Sequence, residues 1–222
     1  MSVSLLDLGV RPYPEVWQLQ KDLVEARSKG EAPDTLILVE HDHVVTLGRK
    51  TSPENFKSLD VPVFRVERGG DATYHGPGQL VGYPIVRMAV PDVRRFVRSL
   101  EEVLILTAGT FGIEAGRREN HTGVWVGGGT KKLASIGVAV TNWVTYHGFA
   151  LNVSTDLGYF RMIRPCGLDP ETMTSMERLT GAPVEMASVK REAARRFSEV
   201  FGVELTPAGI AGPRSAGTPH KH

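Results

Sequence analysis

From Pro14 to Gly30 the apolar residues Val16, Leu19, Leu23 and Val24 recur at helical spacing. Proline sits in the opening turn and Gly30 offers a stop, so the first helix is predicted here. The pattern then changes period. Thr35 to Glu40 (TLILVE) and Val44 to Leu47 (VVTL) are short and β-branched, Val61 to Val66 alternates, and Tyr83 to Val86 is a further apolar run, which together predict four strands. Asp92 can cap a long helix through Phe111, with Phe96, Leu100, Val103, Leu104 and Thr107 on one side and Gly112 and Gly116 ending it. Strands are predicted again at Gly123 to Val126, Lys132 to Val140 (KLASIGVAV) and Val144 to Val153. Only Thr141, Asn142 and Trp143 separate the last two, which reads as a β-hairpin. Helical spacing returns at Met173 to Leu179 and at Ser188 to Phe201, the latter with serine in the capping position, and Val203 to Leu205 reads as a last strand. The three tryptophans are assigned to the core. Residues 207–222 are poor in large apolar groups and predict a mobile tail after one α/β domain spanning 1–206.

One stretch fits none of these patterns. RGGDATYHGPGQLVGYP, from Arg68 to Pro84, sets glycines and prolines around Arg68, Asp71, Tyr74, His75 and Gln79. It is too polar for a core. Glycine lets the main chain approach a ligand closely, and Thr73 and His75 point the same way if the segment is extended. A binding loop is predicted. It matches neither G-x-x-x-x-G-K-[ST] nor a G-x-G-x-x-G that opens a helix, so the motifs do not support a nucleotide site.

Composition narrows the field. The chain has 222 residues, 41% of them hydrophobic, enough for a sizeable core. Lysine and arginine total 26 against 25 acidic residues, so no general electrostatic drive toward nucleic acid or membrane is expected. The first residues lack the pattern of a signal segment, and no run reaches the ~18 apolar residues of a membrane span. A soluble, unexported, cytoplasmic protein is expected. The single cysteine, Cys166, allows no intrachain disulfide and no zinc site of several thiolates.

Cys166 lies in RMIRPCGLDP, beside Arg161 and Arg164. Nearby positive charge favours the thiolate, the nucleophilic form. The local sequence leaves two readings open: a reactive nucleophile, or a small buried hydrophobe. By residue type its proton acceptor could be Lys131, Lys132, His75, His121 or His147. Lys132 opens an apolar strand after the Gly127-Gly128-Gly129 turn, which would point its amine into a pocket while Lys131 faces solvent; both could equally be solvated turn residues. His41 and His43 would share a side in an extended chain, but two histidines without a third ligand do not make a metal site, and none is predicted.

These blocks, in order, carry a resemblance. RGGDATYHGPGQLVGYP, KLASIGVAV, HGFALNV and IRPCGL are similar to those of the lipoyl(octanoyl) transferase family, with matching blocks from Thr46-Leu47-Gly48-Arg49 to Cys166-Gly167-Leu168. EHDHVVTLGR departs from the family wording without touching a catalytic position. The resemblance implies a single domain with a mixed, largely antiparallel sheet flanked by helices, like the catalytic domains of biotin and lipoate protein ligases. It implies octanoyl (or lipoyl) transfer from acyl carrier protein to a specific lysine of lipoyl domains, through a cysteine thioester.

Carried over residue by residue, Cys166 takes the nucleophile's place and Lys132, 34 residues earlier, that of the proton-handling lysine. Arg68, Gly69, Gly70, Asp71, Ala72, Thr73, Tyr74 and His75 would line the acyl site, with Ser135, Ile136 and Gly137 on one hairpin strand and Gly148, Phe149 and Ala150 on the other. No cofactor is implied beyond the carrier's phosphopantetheine, and no metal. Expected partners are octanoyl-acyl carrier protein, lipoyl domains of 2-oxoacid dehydrogenase complexes and the glycine cleavage H protein, met by a monomer. Arg49, Lys50, Arg161 and Arg164 are the basic residues expected to steer the acidic carrier. The alternatives are an ATP-dependent lipoate protein ligase, which needs no cysteine, and a non-catalytic lipoyl-domain binding module.

Overall fold

The computed structural model describes residues 2–52, 60–163 and 169–209. Cys166 and Arg164 lie outside the described residues. In chain order the elements are β1 (Ser2–Val10), α1 (Tyr13–Lys29), β2 (Thr35–Glu40), β3 (Val44–Leu47), β4 (Val63–Arg65), β5 (Ala72–His75), β6 (Gln79–Ile85), α2 (Val93–Thr110), β7 (Ala115–Arg118), β8 (His121–Val126), β9 (Lys131–Thr141), β10 (Val144–Asn152), α3 (Met176–Thr180), α4 (Met186–Phe201) and β11 (Glu204–Pro207). They form an eight-stranded sheet in the order β11-β1-β2-β6-β10-β9-β8-β7 and a small sheet in the order β4-β3-β5. β1 pairs in parallel with both β11 and β2, whereas every pairing from β2 through to β7 is antiparallel.

The unbroken apolar run of β2 follows from helices on both faces. Leu36 and Leu38 join Leu100, Leu104 and Phe197 of α2 and α4, while Ile37 and Val39 join Val16 and Val24 of α1. Asp92 caps α2 as expected, its side chain accepting from the Arg95 N–H at 2.9 Å. The small sheet buries Val45, Leu47, Ala72 and Tyr74 against Phe160, Ile163 and Met173.

Several expectations need correction. α4 begins two residues before Ser188, which lies in its first turn and is not the cap. Ser175, not Met173, starts the short helix, its hydroxyl accepting from the Arg178 N–H at 3.3 Å. β11 runs on through Pro207, which pairs with Leu5, and the Ala208 N–H donates to the Leu5 carbonyl. Of the tryptophans only Trp125 is core; Trp143 is 51% exposed and Trp17 half-buried.

Two gaps in the large sheet position the site. β8 pairs with β9 only from Lys131 to Ala134, leaving the rest of that β9 edge open. β6 pairs with β10 only from Phe149 to Asn152. Pro84 has no N–H to offer there, and at His147 the backbone turns left-handed, φ 54°, so that its N–H donates to Gln20 Oε1 on α1 at 2.8 Å.

Candidate active site

The glycine-rich segment fills the open edge of β9. Its Gly69 N–H donates to the Val138 carbonyl at 2.9 Å, while the Arg68 and Gly70 carbonyls accept from the Arg49 and Lys50 N–H groups. The buried Arg68 guanidinium ties the strap to β3, donating to the Thr46 carbonyl at 2.7 Å and to its hydroxyl. The approach demands glycine below it: a Cβ on Gly137 would lie 2.8 Å from the Gly69 oxygen and 3.3 Å from Arg68 Cδ. Between strap, hairpin and the start of α2 lies a cavity of about 570 Å³.

Most of the expected residues meet there. Arg68, Gly69, Gly70, Asp71, Ala72, Thr73 and His75 line it from the strap and β5, Lys132, Ser135, Ile136 and Gly137 from β9, and Gly148, Phe149 and Ala150 from β10. Tyr74 does not. Strand alternation turns its ring to the other side, against Tyr159 and Phe160, with its hydroxyl 2.7 Å from His43 Nδ1. His121 and His147 also reach the cavity, as do Arg49 and Lys50. Arg161 is instead paired with Glu171 at 2.7 Å beside a separate surface cavity.

The two lysines divide as the alternation requires. Lys132 is 4% exposed and lines the cavity, whereas Lys131 is exposed and donates to the Glu171 carbonyl at 2.7 Å. The Lys132 carbonyl accepts from the Thr174 N–H at 3.0 Å, which fastens the chain that follows Cys166 in sequence to the strand bearing the lysine.

A buried polar chain fixes the state of His75. The Thr174 carbonyl can only accept, so Asn152 Nδ2 faces it at 3.0 Å; Asn152 Oδ1 then accepts from Gln79 Nε2 at 2.9 Å, and Gln79 Oε1 faces His75 Nδ1 at 2.8 Å. His75 must donate from Nδ1. Its Nε2 is an acceptor, and burial pushes the ring's pKa down to about 3, so it stays neutral. His41 is locked the same way, donating from Nδ1 to the Arg11 carbonyl and accepting from the Tyr83 hydroxyl at Nε2, each at 2.8 Å. His43 turns instead to Tyr74, so the two histidines do not converge on a metal. Among the described residues no group of three or more His, Cys, Asp and Glu could hold one.

Some lining residues were not expected: Tyr13, Val81, Tyr83, Val93, Val97, Asn120 and Thr122. Tyr13 precedes the helix expected from Pro14, and Tyr83, at the end of the glycine-rich run, counts with the strand that follows. Asn120 lies in the β7–β8 turn, where Arg118 pairs with His121, and Thr122 follows it at the start of β8. Reading β7 as a strand would have exposed that turn.

The lipoyl protein ligase A/B catalytic domain matches residues 12–198. An octanoyltransferase of Syntrophotalea carbinolica is 48% identical over 211 residues, covering 94% of this chain and 99% of its own. One from Rubrobacter xylanophilus is 48% identical over 203 residues, covering 87% and 91%. Among solved structures, a lipoate-protein ligase A bound with ATP superposes with a TM-score of 0.76 at 20% identity, covering 96% of this chain and 90% of that one. At that identity it shows the shared fold.

Proposed function

Because this chain belongs to the lipoyl protein ligase A/B catalytic-domain family and transfers an octanoyl group in protein lipoylation, we propose that it works through a thioester on Cys166 with Lys132 as its proton carrier. The reading is supported above all by the burial of Lys132 in the wall of a cavity shared with the strap and the hairpin. The floor suits a thin chain: Ser135, Gly137, Gly148 and Ala150 leave room beside the backbone for a hydrocarbon, whose burial contributes ~0.8 kcal/mol per methylene.

The donor is octanoate held as a thioester on the phosphopantetheine arm of acyl carrier protein. Lys132 takes the cysteine proton, the Cys166 thiolate attacks the carbonyl, and the carrier sulfur leaves as a thiol with the proton that Lys132 returns, which leaves the amine neutral for the second half. The ε-amine of a lipoyl-domain lysine then attacks the acyl-enzyme. A stable amide forms, the Cys166 sulfur departs, and Lys132 takes the amine's proton. Thioester exchange is nearly isoenergetic and the amide lies lower, so the transfer needs neither nucleotide nor other cofactor. Arg49 and Lys50 at the cavity would draw in the acidic carrier.

Mass spectrometry of the protein mixed with octanoyl-acyl carrier protein tests the reading. An octanoyl adduct is expected, absent in Cys166→Ser, and Lys132→Ala is expected to lose roughly 100-fold or more in turnover while still folding. Octanoate ligation that requires ATP and survives Cys166→Ser would replace the transferase mechanism with a ligase one.

A further inference from the structure

Lys132 does not leave its strand in the regular way. β8 and β9 pair Val124 with Ala134 and Trp125 with Lys132, so one step on β8 faces two on β9 and Leu133 is the extra residue of a bulge. Leu133 turns into the α2 core and is fully buried, while Lys132 turns to the cavity. The lysine stem then crosses the backbone of Gly123, whose φ is 124°. A Cβ there would stand 2.8 Å from Lys132 Cε and 2.4 Å from the Ala134 oxygen. Gly123 is itself held from behind, its N–H donating at 3.1 Å to Glu101 Oε1. Glu101, 1% exposed on α2, keeps its other oxygen on Arg98 at 2.8 Å and Arg117 at 3.1 Å.

At the far end of the stem is an aromatic ring. Lys132 Nζ lies 5.4 Å from the centroid of Trp125, which is 1% exposed and donates from Nε1 to the His121 carbonyl at 3.2 Å. The Arg118 guanidinium carbon lies 4.8 Å from the same centroid. A lysine stem has four rotatable carbons, and its ammonium is attracted to the face of an indole. We propose that Trp125 is a positioning residue for Lys132: its ring holds the amine against the cavity wall and favours it in the charged form it takes on with the cysteine proton. The proposal rests on the reading of Lys132 as proton carrier, and only the proton changes place, from sulfur to Nζ.

Fluorination withdraws density from an indole face while keeping its size, so it probes the ring without a cavity. The full chain labelled throughout with fluorotryptophan is compared with unlabelled protein, and the same pair is made in a Trp125→Phe background to subtract the other two tryptophans. Labelling is expected to lower kcat about two- to fivefold in the parent, with KM for octanoyl-acyl carrier protein unchanged, and to change nothing in the Trp125→Phe pair. Equal kcat in labelled and unlabelled parent would overturn the proposal, as would a loss that persists in the Trp125→Phe pair. Lys132→Ala separates the two levels. Full turnover in that variant removes the proton-carrier reading itself, whereas a crippled Lys132→Ala beside a fluorination-insensitive parent removes only the role of Trp125.

Discussion

A methyl group at Gly137 would press on the strap from below. The nearest atom is a backbone oxygen, at 2.8 Å, so the neighbour cannot swing away as a side chain would. Gly137→Ala is therefore expected to cost roughly 1–3 kcal/mol in chemical denaturation and most of the activity, because relief comes only by lifting Gly69 off β9. A variant with unchanged midpoint and turnover would show that the strap is free to move. The sequence carried much at this scale. Alternation offered Lys132 to a pocket and Lys131 to solvent as one of two open readings, the family resemblance singled out Lys132, and thirteen of the fourteen expected acyl-site residues line the cavity. Tyr74 went astray through the same rule, since His75 and Tyr74 cannot both face one side. The state of His75 was not legible at all: it depends on Asn152 and Thr174, far off in sequence.

The β9–β10 hairpin was legible from spacing alone, although its turn is unusual. Asn142 and Trp143 both have positive φ, 52° and 61°, the geometry of a two-residue primed turn in which glycine normally takes the second place. Trp143 contributes little packing to offset that, being half exposed. Trp143→Gly is thus expected to raise the thermal midpoint, by about 1 kcal/mol of stability, and a lower midpoint would mean that the indole is held by more than its backbone. Other elements left no such mark. In β1 the pair Leu5-Leu6 breaks alternation and the pairing shifts between Asp7 and Val10, so the strand has no clean period. β7 reads AGRR, without one β-branched residue, and is a strand only because β8 pairs with it.

Acid should unfold this molecule earlier than its net charge suggests. Burial holds the pKa of His41 and His147 at about 4 and that of His75 at about 3, against an ordinary value near 6.5 in the unfolded chain. Below pH 6.5 the unfolded chain takes up protons that the folded one refuses. Stability is then expected to fall from pH 6.5 by up to about 1.4 kcal/mol per pH unit for each histidine, the share of His41 and His147 levelling off near pH 4 and that of His75 near pH 3. Urea unfolding at pH 7.5, 6 and 5 reads this directly, with a shallower slope in His41→Gln; a flat profile would mean that water reaches these rings. The order of strands in the sheet could not be read from the chain, since pairing links residues far apart, and one such link governs how the molecule is made. β1, made well before β11, lies between β2 and β11, and its Ser2 pairs with Glu204. At roughly 5–20 residues per second, some 10–40 s separate the synthesis of those two partners. Throughout that interval the edge of β1 that β11 will take stays unpaired, and the sheet closes only after Glu204 to Pro207 have been made.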